Sequence, residues 1–296
     1  MTDDAHFQTK SDILRILTAV GRRPRKRFGQ HFLIDRNLMR KLVDAAEIGP
    51  RDCVVEVGAG TGSLTGLLAV SAGRVVAAEI DPLLADMVEA QTRACGKVVV
   101  VRGDALLNKS TLSPELVAAM RAGHTSAGGE LLLVANLPYD IATPLLIDLL
   151  LSDLPFCRLC FTVQTEVAQR LTAEPSTRDY GPAAIVTGAF GRVRRICRVP
   201  PEAFWPMPRV HSTMLRLDVH PAGPADAAGL AAFVRSFFLH RRKTLLHTAR
   251  RRTDAPLAIA AIDSTGVDPA ARPENLAVDQ WMALYAALVA ATGETA

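Results

Sequence analysis

The chain has 296 residues, 49% hydrophobic and 22% charged, with 34 Lys and Arg against 30 Asp and Glu for a net charge of +4. That length and balance suit a soluble globular protein of one large and one smaller domain with ample core. Asp3 and Asp4 at the start, and Arg15 within the first apolar stretch, fit neither a secretory signal nor a membrane span, so a cytosolic protein is expected.

Residues 1–27 predict a short amphipathic helix, N-capped by Ser11, and then a basic leader, Arg22-Arg23-Pro24-Arg25-Lys26-Arg27. From Phe28 to about Val219, short apolar strands alternate with helical stretches. The strands are expected at 53–57, 74–79, 97–101, 131–135, 158–163, 184–190 and 214–219, with helices such as 82–92 and 144–151 between the earlier ones. Such alternation predicts an α/β, doubly wound, mainly parallel seven-stranded sheet, antiparallel at its end where long crossovers stop. The three glycines of 121–130 predict a loop. Pro221-Ala222-Gly223-Pro224 marks a linker, and the helical periodicity beyond it predicts a small helical domain. The expected organisation is a leader (1–27), an α/β domain (28–219), a linker (220–224) and a helical domain (225–296).

Cys53, Cys95, Cys157, Cys160 and Cys197 are odd in number and mostly within apolar runs, as reduced, buried thiols would be. Cys157 and Cys160 match C-x-x-C formally. In a strand, however, i and i+3 face opposite sides, and no second Cys or His pair completes a metal set. No metal is expected. Basic residues cluster at 22–27, 192–198 and 235–252, which together favour a polyanionic partner.

The strand 53–57 runs into Gly58-Ala59-Gly60-Thr61-Gly62 and then a helix, a turn that lets backbone approach a ligand at a helix N-terminus. Dinucleotide and S-adenosylmethionine sites share this feature. The next strand ends at Glu79-Ile80-Asp81, where an acid can grip ribose hydroxyls. The third ends at Gly103-Asp104-Ala105; Asp104 could accept from an adenine amine or cap a helix. The fourth, 131–135, exits into Asn136-Leu137-Pro138-Tyr139. Pro138 stops the strand, and the turn offers an amide oxygen, free carbonyls and an aromatic face, the groups that an exocyclic amine on a planar base needs. All four features fall at the carboxyl ends of strands, where open sheets bind ligands.

Taken in order, these residues resemble the ribosomal RNA adenine N6,N6-dimethyltransferase family, the small-subunit dimethyladenosine transferases. The likeness starts at Phe28-Gly29-Gln30-His31-Phe32-Leu33. It runs through Val55-Glu56-Val57-Gly58-Ala59-Gly60-Thr61-Gly62, Glu79-Ile80-Asp81, Gly103-Asp104-Ala105 and Asn136-Leu137-Pro138-Tyr139. It continues at Ala203-Phe204-Trp205-Pro206-Met207-Pro208-Arg209-Val210-His211-Ser212, Arg241-Arg242-Lys243-Thr244-Leu245 and Arg272-Pro273-Glu274-Asn275-Leu276.

The resemblance implies a Rossmann-like methyltransferase domain that uses S-adenosylmethionine. His31 and Leu33 would flank the cofactor, Gly58 and Gly60 approach it, Glu79 hold its ribose and Asp104 its adenine. Asn136 would sit between cofactor and target, with Leu137, Pro138 and Tyr139 completing the catalytic turn and Phe204 clamping the base opposite Tyr139. Arg241, Arg242 and Lys243 would contact RNA phosphates. His31 departs from the Asn of many members, and Met207, Arg209 and His211 from the usual Pro, Lys and Asp. The implied substrate is two adjacent adenosines in the terminal hairpin of small-subunit rRNA, free or in a pre-assembled subunit, met by a monomer away from membranes. Two alternatives share the motifs: the large-subunit adenine methyltransferases of macrolide resistance, and a non-catalytic RNA-binding assembly factor. A nicotinamide oxidoreductase is disfavoured by the Asn136 to Tyr139 turn.

Overall fold

Runs of Val, Leu and Ala build the centre of this protein. The computed structural model describes residues 7–19, 21, 30–108, 111–221 and 223–292. The basic run 22–27 and the motif residues Phe28 and Gly29 lie outside the described residues. In chain order the elements are α1 (Lys10–Ala19), β1 (Phe32–Leu33), α2 (Arg36–Ala46), β2 (Cys53–Val57), α3 (Ser63–Ser71), β3 (Arg74–Glu79), α4 (Pro82–Thr92), β4 (Val98–Arg102), β5 (Leu106–Asn108), β6 (Thr111–Leu112), α5 (Pro114–Ala127) and β7 (Leu131–Asn136). There follow α6 (Ala142–Leu151), β8 (Phe156–Gln164), α7 (Thr165–Leu171), α8 (Pro182–Phe190), β9 (Gly191–Val199), β10 (Phe204–Trp205), β11 (Ser212–Val219), α9 (Ala227–Phe238), α10 (Leu245–Ala249), α11 (Ala255–Thr265) and α12 (Val278–Thr292).

The main sheet has seven strands in the order β4-β3-β2-β7-β8-β11-β9. The pairs from β4 to β8 are parallel, and β11 lies antiparallel on β8. Every residue of β2 and the first five of β7 are buried, as strands covered on both faces must be. The chain leaves β2 outward to β3 and β4, then crosses back to β7 on the other side. The connections after β2 and β7 therefore diverge and leave a crevice at their carboxyl ends, a topological switch point. Asp35, Asp81 and Ser113 start α2, α4 and α5 by accepting from the N–H groups of Leu38, Leu83 and Leu116.

The described residues fall into two compact units, one within 1–168 and 194–218, the other within 169–193 and 219–296. A single boundary near 219 is what the linker predicts; residues 169–193 instead join the C-terminal helices. The reason is α8. Most of this helix is buried, and Gly188 lets it approach Val278, whose Cγ2 would lie 2.9 Å from an added Cβ. The Tyr180 hydroxyl donates to the Leu276 carbonyl at 2.7 Å. At the centre of this unit Trp281 is buried, edge-on to Phe233 and Phe237 at 6.0 and 5.5 Å.

Three local expectations are corrected. The run 184–190, a predicted strand, belongs to α8: Gly181-Pro182 opens a helix so uniformly apolar that no period distinguishes it from a strand. The true strand is β9, whose Arg192, Arg194, Arg195 and Arg198 are exposed. The predicted loop 121–130 is mostly the second half of α5. Gly123 sits there not to break the helix but to pack it: an added Cβ would meet Val76 Cγ2 at 2.9 Å and Cys53 Sγ at 3.0 Å. Helix α1 starts one residue before Ser11, and Thr9 and Asp12 cap it reciprocally.

All five cysteines are free thiols, and Cys95 is exposed rather than buried. Burial pushes the Cys53 thiol up to about 11 and Cys157 and Cys160 to about 12, so these three stay protonated and unreactive near neutrality. Among the described residues no helix is long and apolar enough to cross a membrane, and no cluster of His, Cys, Asp and Glu could hold a metal.

Candidate active site

From β2 the chain turns through Gly58 and Gly60, with φ of +82° and +58°, values that any side chain would strain. Their surroundings are also full. A Cβ on Gly58 would lie 3.2 Å from the Pro138 ring, and one on Gly60 3.0 Å from Phe32. The turn is thus a bare-backbone cradle whose floor is supplied by the Asn136 turn.

Glu79, the last residue of β3, is 4% exposed. Its Oε2 accepts the Gly60 N–H at 2.7 Å and its Oε1 the Asp81 N–H at 2.9 Å. Burial pushes its carboxyl above the usual range, while backbone N–H groups of Asp81, Gly60 and Ile80 pull the other way. The acid is fixed at the rim of the glycine turn with lone pairs left for ligand hydroxyls. A second buried acid, Glu56 in β2, lines the same pocket. Its Oε2 accepts the Thr65 hydroxyl at 2.5 Å. Burial, with Glu79 nearby, raises its carboxyl to about 8. Glu56 is not among the predicted site residues; its signal was a charge inside a wholly buried strand.

A second pocket adjoins the first and shares Gly58, Ile80 and Pro138 with it. Asp104 lines this one. Its Oδ1 accepts from Leu106 N–H at 3.0 Å. It precedes β5, not a helix, so the helix-cap alternative does not hold.

Asn136 ends β7 beside this cradle. Its Nδ2 donates to the His31 carbonyl at 3.0 Å. A carbonyl can only accept, so the amide's orientation is set, and its Oδ1 is left buried with no partner among the described residues. Leu137 is buried, with its N–H 3.3 Å from the Thr162 carbonyl, and the Pro138 carbonyl takes the Ile141 N–H at 3.3 Å. The Tyr139 hydroxyl bonds Ser212 Oγ at 2.7 Å, and its ring stacks on His31 with centroids 5.4 Å apart and planes 26° from parallel. His31 Nδ1 lies 2.6 Å from the Pro206 carbonyl and therefore carries its hydrogen. Burial raises the Tyr139 phenol.

His31, Leu33, Gly58, Gly60, Glu79, Asn136, Leu137, Pro138 and Tyr139 thus share one pocket. Phe204 does not. Strands β1 and β10 pair antiparallel with Leu33 opposite Phe204, and Phe204 is 2% exposed, packed in the core with Leu33, Met39 and Met214. A ring with no open face cannot stack on a base in this conformation; the aromatic against Tyr139 is His31. The basic trio sits in the other unit. Arg241 is bound to Glu274 and donates to the Thr177 carbonyl at 3.1 Å, whereas Arg242 and Lys243 are exposed.

Glycine turn, buried acid and amide turn at the switch point of a seven-stranded sheet define a Rossmann-like methyltransferase of the S-adenosylmethionine-dependent class. Comparisons narrow the class. A family model described as ribosomal RNA adenine dimethylase matches residues 21–289. The chain is 36% identical to the ribosomal RNA small subunit methyltransferase A of Pelotomaculum thermopropionicum, over 95% of this chain and 97% of that one. It is 37% identical to the protein of the same name from Nocardia farcinica, over 96% of each. Its fold is similar to a crystal structure of a dimethyladenosine transferase from Plasmodium falciparum, with a TM-score of 0.72 at 23% identity, covering 86% of this chain and 96% of that one. The chain belongs to the ribosomal RNA adenine dimethylase family.

Proposed function

We propose that this chain transfers two methyl groups from S-adenosylmethionine to N6 of each of two adjacent adenosines in the terminal hairpin of small-subunit rRNA, acting as a cytosolic monomer on the RNA or on a pre-assembled subunit. The name its relatives carry supports the small-subunit target, and the motif set supports the adenine. The observation that carries the reading is the Asn136 amide, in a residue that lines the pocket, held by its N–H2 on the His31 carbonyl with its oxygen buried and unpaired among the described residues.

The residues present fit the cofactor: a side chain would fill the cradle at Gly58 and Gly60, and Glu79 stands at its rim. Bound S-adenosylmethionine supplies a methyl on a sulfonium, already a good electrophile. What this chain must do is orient the acceptor. The adenine N6 lone pair is delocalised into the ring and is a poor nucleophile. Asn136 Oδ1 accepts one N6 hydrogen. A carbonyl of the Leu137-Pro138 turn is the second acceptor. Two acceptors favour a tetrahedral nitrogen and stabilise the positive charge that develops there. No strong base is required, because the N6 proton becomes acidic after transfer and leaves to solvent. The base reaches the pocket by leaving its stack, and Tyr139 supplies a stacking face, worth about 1–3 kcal/mol.

Replacing Asn136 by Ala should lower methyl transfer to unmodified small subunits by about 10²–10³-fold while calorimetry still detects cofactor binding. Transfer at the parent rate would remove the orientation role. Mapping the methylated bases on small and large subunits side by side tests the substrate.

A further inference from the structure

The segment that precedes the first family motif is not a passive leader where it is described. Residue Gln8 donates from Nε2 to the Thr61 carbonyl at 2.9 Å, and from its backbone N–H to Ser63 Oγ at 3.3 Å. Thr61 and Ser63 flank Gly62, the residue that starts α3, and both line the cofactor pocket. One residue earlier, the Phe7 ring lies under the guanidinium groups of Arg36 and Arg40, at 4.7 and 5.2 Å from its centroid, a cation–π clasp. One residue later, the Thr9 and Asp12 cap starts α1, which sets where the extended piece becomes helix. Helix α1 then buries Ile13 and Leu17 against Phe32 and Leu84. Phe32 is the ring that stands against Gly60. The glycine turn is therefore held twice from the same segment, at Thr61 and Ser63 through Gln8 and at Gly60 through Phe32.

We propose that residues 7–17 form a strap that positions the cofactor turn, with Gln8 as its positioning residue. This rests on the cofactor reading above and names a part of the site outside every family motif in the sequence. The Gln8 amide leaves its own Oε1 buried without a partner among the described residues. An apolar residue would fill the place without that orphan, so what the amide uniquely contributes is its donors. The Gln8 bond fixes the Thr61 carbonyl within the same turn whose Gly60 N–H goes to Glu79 and whose Gly62 N–H goes to the Ala59 carbonyl.

The test compares the full-length parent with Gln8→Glu, which keeps the shape but cannot donate from that position, and Gln8→Met, which keeps the volume alone. Calorimetric titration with S-adenosylmethionine should show a Kd raised about tenfold in both variants, with the loss falling on the cofactor KM rather than on kcat or the RNA KM. Without cofactor, the amides of 60–63 should exchange hydrogen faster than in the parent, with exchange elsewhere unchanged. Parent-like Kd and exchange in both variants would overturn the strap, as would a lowered thermal midpoint with cofactor affinity intact, which marks a merely structural contact. If the parent itself failed to bind the cofactor, the site reading would fall instead, a distinguishable result.

Discussion

A side-chain amide has its oxygen held on one side when its N–H2 is committed on the other, and for Asn136 the commitment is to a carbonyl 105 residues away in sequence. Glu56 shows the same dependence on surroundings. Its carboxyl, ordinarily near 4.5, is raised to about 8 by burial. The folded state then binds a proton that the unfolded chain releases, so stability falls as pH rises from 4.5 towards 8, on the order of 1 kcal/mol per pH unit, and levels above that. Glu56→Gln should flatten this profile and gain on the parent as pH increases. Thermal midpoints of the cofactor-free proteins across that window check it; parallel profiles would mean that Glu56 is ionised throughout. Glu56 and Glu79 both stand in recognisable motifs, yet only the fold reveals that they share a pocket.

At the scale of elements, β1 and β10 matter beyond their two residues each. They join the Phe28 to Leu33 motif to the Phe204 to Ser212 motif, and in doing so turn Phe204 inward opposite Leu33. Phe204→Ala should therefore cost about 3–5 kcal/mol of stability as a core truncation, measured by denaturant unfolding. A clamp role would instead leave stability near the parent and raise the RNA KM. Strands β2, β3 and β7 and helix α4 were legible because apolar runs bounded by glycine turns and caps have few alternatives. Helix α8 was not, since a short run apolar on every side has no period to read. Glycine in α5 misled for another reason: Gly123 serves close helix–sheet packing, which local sequence does not distinguish from a break.

For the whole molecule, the modest net charge conceals basic clusters, of which 235–252 falls within the second unit. Arg241 is tied into the second unit by Glu274 and Thr177, while Arg242 and Lys243 are exposed. Replacing Arg242 and Lys243 together by Ala should weaken RNA binding and reduce its log–log salt slope by about 1 for each phosphate that is no longer neutralised. Arg241→Ala should mainly lower the thermal midpoint. Filter binding across a salt series separates them; an unchanged slope in the double variant would reassign that pair to a solvated surface.

By itself the sequence determined the class of chemistry, because a glycine turn, two acids and an Asn-x-Pro-Tyr exit at successive strand ends are local features written in consecutive residues. It also determined the parallel centre of the sheet, since buried strands must be continuously apolar. Only the tertiary structure decided which groups are spent and which stay available. It committed the Asn136 N–H2 to His31, buried Phe204, engaged Arg241, gave residues 169–193 to the helical unit and brought Gln8 onto the glycine turn. Each of those outcomes depends on partners tens to hundreds of residues apart, where packing rather than local propensity decides which groups meet.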